Sequence, residues 1–526
     1  MRVLLVALNA KYVQSNLAVY ALRTACLAYD IKCSIYESNI NELPVSHLAK
    51  IEAFQPDVLG FSCYIWNIDI ISRLIIDLRK ILPKTVIVLG GPEVSEIPNE
   101  ALEKYQPDYV ISGPGEKAWP ELLLALKEGS KIPQIVEKTV SIGQTPFPYL
   151  PEDDLQNHLV YYEASRGCAN RCAYCLSSVN RKLEFRPLTL VFQDIKRLWE
   201  MGVRQIKFVD RTFNLDKKRT LAIWQHLLLN YPGGNFHFEI AADRLSDAEL
   251  DFLKKAPAGL FQMEIGVQST FIPTLEAINR STNTDILLNR LKELAEETKV
   301  LVYADLIAGL PLESYKRFLQ SFSDVLATRP DQLQMGFLKL LPGTSLRAEA
   351  SKWGIVYSDF PPYEVLKTDY ISFSELQRLK GLEWTVDLFY NSGYLKETLK
   401  EIASSALGSF FMDLQDRLTK TGELWQKRKV ESRFKFINNE FPELSDWILL
   451  DFLKQGLSHT MPSWYKGDLY LESQRESKKV FSTEKRPVLL LRLTSSLEKR
   501  FQAKTLALVM GYPHIDRRCQ EIIALK

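Results

Sequence analysis

No apolar run in this chain approaches the roughly 18 residues that a bilayer-spanning helix requires, so no membrane span is expected. Charge of one sign is lacking too. Sixty-six basic against 64 acidic residues leave a formal net charge of +2, too weak a field to argue by itself for a polyanionic partner. Nucleic acid is neither implied nor excluded. Cysteine is scarce outside one cluster: of seven, Cys26, Cys33, Cys63 and Cys519 lie scattered and do not resemble a disulfide framework. They read as buried or incidental thiols in a reducing, cytoplasmic setting. Histidine is sparse, with six in all and none before His47. The N-terminus has no small-residue cleavage site behind its short apolar stretch, so it reads as a first buried strand rather than a signal peptide.

What is present begins with the stretch 165–178, in which Cys168, Cys172 and Cys175 stand three and two residues apart. Thiolate is a soft ligand, and iron-sulfur clusters are normally held by four cysteines. A compact triplet without a nearby fourth therefore implies one open iron, able to bind substrate. A zinc site is the alternative, but zinc triplets usually carry a nearby fourth Cys or His, and the closest later histidine is His226. The pattern Cys168-x-x-x-Cys172-x-Tyr174-Cys175 resembles the signature of the radical S-adenosylmethionine (SAM) enzymes. That resemblance implies a 4Fe-4S cluster on the three cysteines. Its fourth iron would chelate SAM, and one-electron reduction would yield a 5'-deoxyadenosyl radical. It also implies an electron donor of flavodoxin or ferredoxin type.

A chain of 526 residues is too long for one core and fits two or three domains. Residues 1–130 alternate short β-branched runs with amphipathic helices, which indicates a parallel sheet covered on both faces, a Rossmann-like or flavodoxin-like α/β layer. Ligands of such sheets lie at the strands' carboxyl ends. There stand Ser62, Tyr64, Trp66 and Asn67 after the third strand, Gly90-Gly91-Pro92-Glu93 after the fourth, and Gly113-Pro114-Gly115-Glu116 after the fifth. In this order they resemble the cobalamin-binding domain attached to many radical SAM enzymes. The resemblance implies that the Gly-Gly turn admits the nucleotide tail and that the loop after the third strand lies under the corrin. Mutase-type domains carry Asp-x-His-x-x-Gly after the first strand. Here Asn9 to Ser15 replaces it without a histidine, so bound cobalamin is expected base-off, with Tyr64, Trp66 and Asn67 facing it.

Residues 131–159 are polar and proline-punctuated and read as a linker over the surface. Residues 160–349 then repeat strand and helix about six times, indicating a partial (β/α) barrel. The cysteine loop follows the first of these strands, where barrels place their chemistry. Asp210, Arg211 and Thr212 follow the second strand and, by the resemblance, lie near SAM, as does Tyr174. Glu239 and Asp243 flank the third strand's end as acceptors for ribose hydroxyls. Gln268 resembles the family's Gly-x-Gln-Ser segment, and Gly309 and Leu310 its fifth-strand turn near adenine.

Residues 350–526 read as a mainly helical C-terminal domain, with Leu379, Leu382, Val386 and Phe389 on one apolar face. This resembles the uncharacterised extensions of that enzyme group. A basic, aromatic stretch at 425–436 would suit a phosphate-bearing or RNA substrate, or be a solvated helix face. Trp464, Tyr465 and His514 read as packing residues. The leading expectation is cobalamin-dependent methyl transfer to an unactivated carbon of a small-molecule, lipid or other metabolite substrate. The alternatives are a radical rearrangement or cyclisation, and an iron-sulfur electron-transfer or regulatory protein.

Overall fold

The computed structural model describes residues 1–179, 182–458, 460–472, 488–510 and 518–525. They form two compact units, 1–321 with 328–376 and 322–327 with 377–526.

The first unit begins with strands β1 (Val3–Asn9), β2 (Cys33–Asn39), β3 (Val58–Ser62), β4 (Val86–Gly90), β5 (Tyr109–Ser112) and β6 (Ile135–Glu137). They pair in the order β2-β1-β3-β4-β5-β6, every neighbour parallel. Helices on both faces let the central strands be apolar throughout. Every residue of β1 and β3 is buried, and helix Ile68–Ile81 buries Ile68, Ile71, Leu74, Ile75 and Leu78 in the same core. The winding reverses between β1 and β3, which opens a crevice at their carboxyl ends.

The expected surface linker is instead built into the fold. β6 extends the first sheet, and Ile142, Tyr149 and Leu155 are buried at 1%, 2% and 0% exposure. Tyr149 Oη donates to Tyr161 O at 2.6 Å, so apolar and hydrogen-bonding anchors outweigh the proline punctuation.

The second sheet comprises β7 (Leu159–Tyr162), then β10 (Gln205–Phe208), β11 (Asn235–Ile240), β12 (Phe261–Gln268), β13 (Leu301–Ala308) and β14 (Gln332–Phe337). Between the first two lies a hairpin of β8 (Ser165–Arg166) and β9 (Glu184–Phe185). The six long strands are parallel, in the order β14-β13-β12-β11-β10-β7, forming the expected half-open barrel. Alternate residues bury against the outer helices: Phe236, Phe238 and Ile240 on β11, Met263 and Ile265 on β12. Phe208, Phe213, Trp224, Phe238 and Phe261 meet there, with Phe208 stacked on Phe238 at 4.7 Å. The other alternation is polar and lines the lumen. Lys207 Nζ lies 2.7 Å from Glu264 Oε2 and 3.8 Å from Glu239 Oε1, and His237 Nε2 lies 2.8 Å from Glu264.

β7 is the edge strand of the half-barrel, and the loop after β1 covers it. Gln14 bridges Leu159 in parallel, with Leu159 N donating to Val13 O at 2.9 Å and Ser15 N to Leu159 O at 3.3 Å.

The second unit is mainly helical, as expected, with helices Lys396–Glu401, Leu407–Lys420, Val430–Glu440 and Ser445–Lys454. Leu379, Leu382, Val386 and Phe389 are buried. Beyond the expected helices this unit holds a four-stranded antiparallel sheet, Tyr470–Leu471, Val488–Arg492, Thr505–Met510 and Cys519–Leu525. In the basic stretch Phe434 and Phe436 are buried and Arg428 pairs with Glu423 at 2.8 Å, the pattern of a solvated helix with an apolar underside. Trp464 and Tyr465 are packed inward. His514 lies outside the described residues.

Candidate active site

The hairpin of β8 and β9 closes the cysteine loop. At Gly167, the residue before Cys168, φ is +88° and a Cβ would stand 2.2 Å from Lys182 O, so only glycine lets the loop return. Ala173 N donates to Ile278 O at 2.8 Å, and Leu346 N to Ala173 O at 3.0 Å, pinning the loop to the segments after β12 and β14.

Cys168 and Cys172 are buried, Cys175 is half-buried, and none is in a disulfide. Asn170 N donates to Cys168 Sγ at 3.4 Å and Arg280 Nη1 to Cys172 Sγ at 3.7 Å, while Thr212 Oγ1 lies 3.8 Å from Cys168 Sγ. Three free thiols with N–H donors aimed at two of them are the donor set an iron-sulfur core takes. Among the described residues, no three His, Cys, Asp or Glu side chains close around a single ion. A four-iron core is wider than one ion and seats its thiolates further apart. Tyr174 is partly buried in the loop, and burial pushes its phenol up.

Asp210 does not face outward. Its Oδ2 accepts from Ala164 N at 3.0 Å and its Oδ1 from Ser165 Oγ at 2.5 Å, which ties the end of β10 to the root of the cysteine loop. Burial pushes its carboxyl up to about 7 against those two donors. Thr212 supports Asn170 at 3.2 Å, and Arg211 is exposed. Glu239 lines the lumen near Lys207, and burial raises its carboxyl. Asp243 accepts from Asn283 N at 3.4 Å at the barrel mouth. Gln268 sits at a bulge with φ +70°, a backbone conformation that costs a non-glycine residue energy, and its buried Oε1 has no partner among the described residues. Gly309 is in tight contact with Val365, whose Cγ1 would lie 2.7 Å from an added Cβ, and Leu310 is core at 0% exposure.

At the carboxyl ends of the first sheet lies a cavity of about 680 Å³. All the residues expected to meet cobalamin line it except Asn67 and Glu93, and Arg211, Lys207 and Glu239 of the barrel border it as well. Gly91 has φ +113°, and a Cβ there would meet Cys63 O at 2.5 Å. Tyr64 and Trp66 stack at 4.4 Å with 9° between planes, and Trp66 is 41% exposed. A flat aromatic face beside side-chain-free turns suits a large planar ligand. Among the described residues no histidine lines the cavity; His47 is buried elsewhere against Tyr36 Oη at 2.8 Å.

Asn67 and Glu93 serve the scaffold. Asn67 donates to Leu8 O and Ser62 O and accepts from Tyr64 N, shaping the loop after β3. Glu93 accepts from Tyr363 Oη, a partner 270 positions away. Residues not singled out from sequence also belong to the site: Arg280 beside Cys172, Lys207 in the lumen, Arg166 and Glu163 in the cavity wall. Arg166 alone stood in plain view, within the cysteine motif.

Residues 3–123 match the B12 binding domain, 162–325 the radical SAM superfamily and 351–512 a family described as a protein of unknown function, DUF4080. The cobalamin-dependent radical SAM methyltransferase TokK of Streptomyces tokunonensis is 25% identical over 56% of this chain and 48% of its own. The 2-(S-pantetheinyl)-carbapenam-3-carboxylate methyltransferase of Streptantibioticus cattleyicolor is 24% identical over 52% and 45%. The chain thus spans about half the length of these relatives. Among solved structures, the radical SAM methyltransferase TsrM from Kitasatospora setae with cobalamin and a [4Fe-4S] cluster aligns with TM-score 0.57 at 18% identity, covering 69% of this chain and 79% of that one. The cobalamin-dependent radical enzyme OxsB with aqua-cobalamin and SAM aligns with TM-score 0.59 at 14% identity, covering 86% and 79%. At such identities the two structures speak to the fold. Along this one polypeptide a B12-binding domain, a radical SAM domain and a DUF4080 region follow one another in that order.

Proposed function

We propose that the protein is a cobalamin-dependent radical SAM enzyme that transfers a methyl group to an unactivated carbon of a small-molecule substrate. The observation that carries this reading is the cysteine loop at the carboxyl end of the barrel's first strand, beside a cavity shared by the ends of the first sheet and the barrel lumen. When bound, the cluster would supply the electron for reductive cleavage of SAM, and the cobalamin would supply a methyl carrier.

Cys168, Cys172 and Cys175 would hold the cluster, with Arg280 and the Asn170 amide donating to its sulfurs and so raising its potential. Gln268, Glu239 and Asp243 would orient SAM at the barrel mouth, where Gln268 Oε1 lacks a partner among the described residues. The Tyr64–Trp66 stack would floor the macrocycle, and Gly90 and Gly91 would admit its tail. The lining that would hold the cobalamin is aromatic and glycine-rich around Tyr64, Trp66, Gly90 and Gly91. The lumen's mix of Lys207, Glu239, Glu264 and Asp305 favours a polar substrate over a plain hydrocarbon. An electron donor of flavodoxin or ferredoxin type would serve the cluster, and free thiols fit a reducing cytoplasm.

The test is anaerobic reconstitution of the full chain with iron, sulfide and hydroxocobalamin, followed by incubation with SAM and a low-potential reductant. A charge-transfer absorbance lost in Cys168→Ala, one corrinoid retained per chain, and S-adenosylhomocysteine together with 5'-deoxyadenosine are expected. 5'-Deoxyadenosine without S-adenosylhomocysteine would replace methyl transfer by rearrangement, and absence of corrinoid retention would remove the cobalamin reading.

A further inference from the structure

Arg166 stands between the two sites. It ends β8, two positions before Cys168, yet its guanidinium turns away from the thiols into the cavity of the first sheet. Nη2 donates to Glu116 Oε1 at 2.6 Å and Nη1 to Glu116 Oε2 at 3.4 Å. Nε and Nη2 meet Glu163 Oε1 and Oε2 at 3.1 and 2.7 Å. Glu116 belongs to the Gly-Pro-Gly-Glu turn that opens helix Gly115–Glu128, and Glu163 directly follows β7. All three side chains are shielded, at 18%, 10% and 24% exposure.

A guanidinium fork binds carboxylates in fixed planes, unlike an ammonium. Shifting the turn at Glu116 therefore either carries β8 with it or breaks both bonds, and breaking them strands shielded charges at substantial cost. The cysteine loop's other anchors, at Ile278 and Leu346, run to the barrel. Arg166 runs to the B12-binding domain.

Resting on the reading above, we propose that Arg166 is a positioning residue that couples the cobalamin cavity to the cysteine loop: an ordered loop presents the fork to Glu116 and thereby shapes the turn bordering the cavity. Such coupling is reciprocal between two binding equilibria. It is measured with the full chain prepared anaerobically in cluster-free and reconstituted forms, each dialysed to equilibrium against hydroxocobalamin.

Wild type is expected to bind hydroxocobalamin at least about fivefold more tightly with the cluster in place, the low end of typical site-to-site coupling. Arg166→Gln is expected to bring that ratio to one, and Arg166→Lys, which keeps the charge without the fork, to an intermediate value. Glu116→Gln cuts the link from its other end and decides the matter if Arg166→Gln does not fold. A purely structural role would weaken binding by the same factor in both forms and keep the wild-type ratio; that result overturns the proposal, as does a wild-type ratio of one. If wild type binds no hydroxocobalamin in either form, the cobalamin reading falls and the coupling with it.

Discussion

At the scale of single residues, Asp210 shows how the root of the cysteine loop is held by a buried carboxyl. Burial raises its carboxyl from 3.8 to about 7 despite the Ser165 and Ala164 donors. Between those two values the folded chain binds more protons than the unfolded one, so Asp210's contribution to stability is full below 3.8 and is lost as pH rises through about 7. Asp210→Asn in the cluster-free protein should flatten this decline, read as urea midpoints across the same interval. Tyr363→Phe removes the donor from Glu93, which is 4% exposed, and should cost about 1–3 kcal/mol in urea denaturation while sparing corrinoid retention. Glu93 and Asn67 also mark the limit of legibility. Residue type and strand-end position were right for ligand contact, but the direction of each side chain was decided by partners that no local pattern reveals, Tyr363 in one case and the Leu8 carbonyl in the other.

At the scale of elements, the strands of the first sheet were legible because helices on both faces demand unbroken apolar runs, as in β3, and those of the barrel because buried and lumen-facing residues alternate, as in β12. The hairpin of β8 and β9 was not, since two-residue strands leave no period to read. Val488–Arg492 and Thr505–Met510 are short apolar runs that helix and strand share equally, so the antiparallel sheet hid inside a region dominated by helical spacing. Gly167→Ala tests what the hairpin does. With φ +88° and no room at Lys182 O, the variant should lose the reconstituted cluster absorbance and about 1–3 kcal/mol of stability.

At the scale of the molecule, two compact units each have their own core. Calorimetry should resolve more than one transition. Hydroxocobalamin at 100 times its dissociation constant should stabilise the unit holding residues 1–321 by about 2.7 kcal/mol and leave the other transition in place. The order of architectures was readable from strand and helix alternation; the building of the linker into the fold was not, because Tyr149 and β6 gain their role from neighbours distant in sequence. The cover that residues 13–15 lay along β7 has a practical consequence. A barrel expressed without the first 130 residues would expose a bare strand margin able to recruit another copy, so such a fragment should self-associate and scatter light where the intact chain does not.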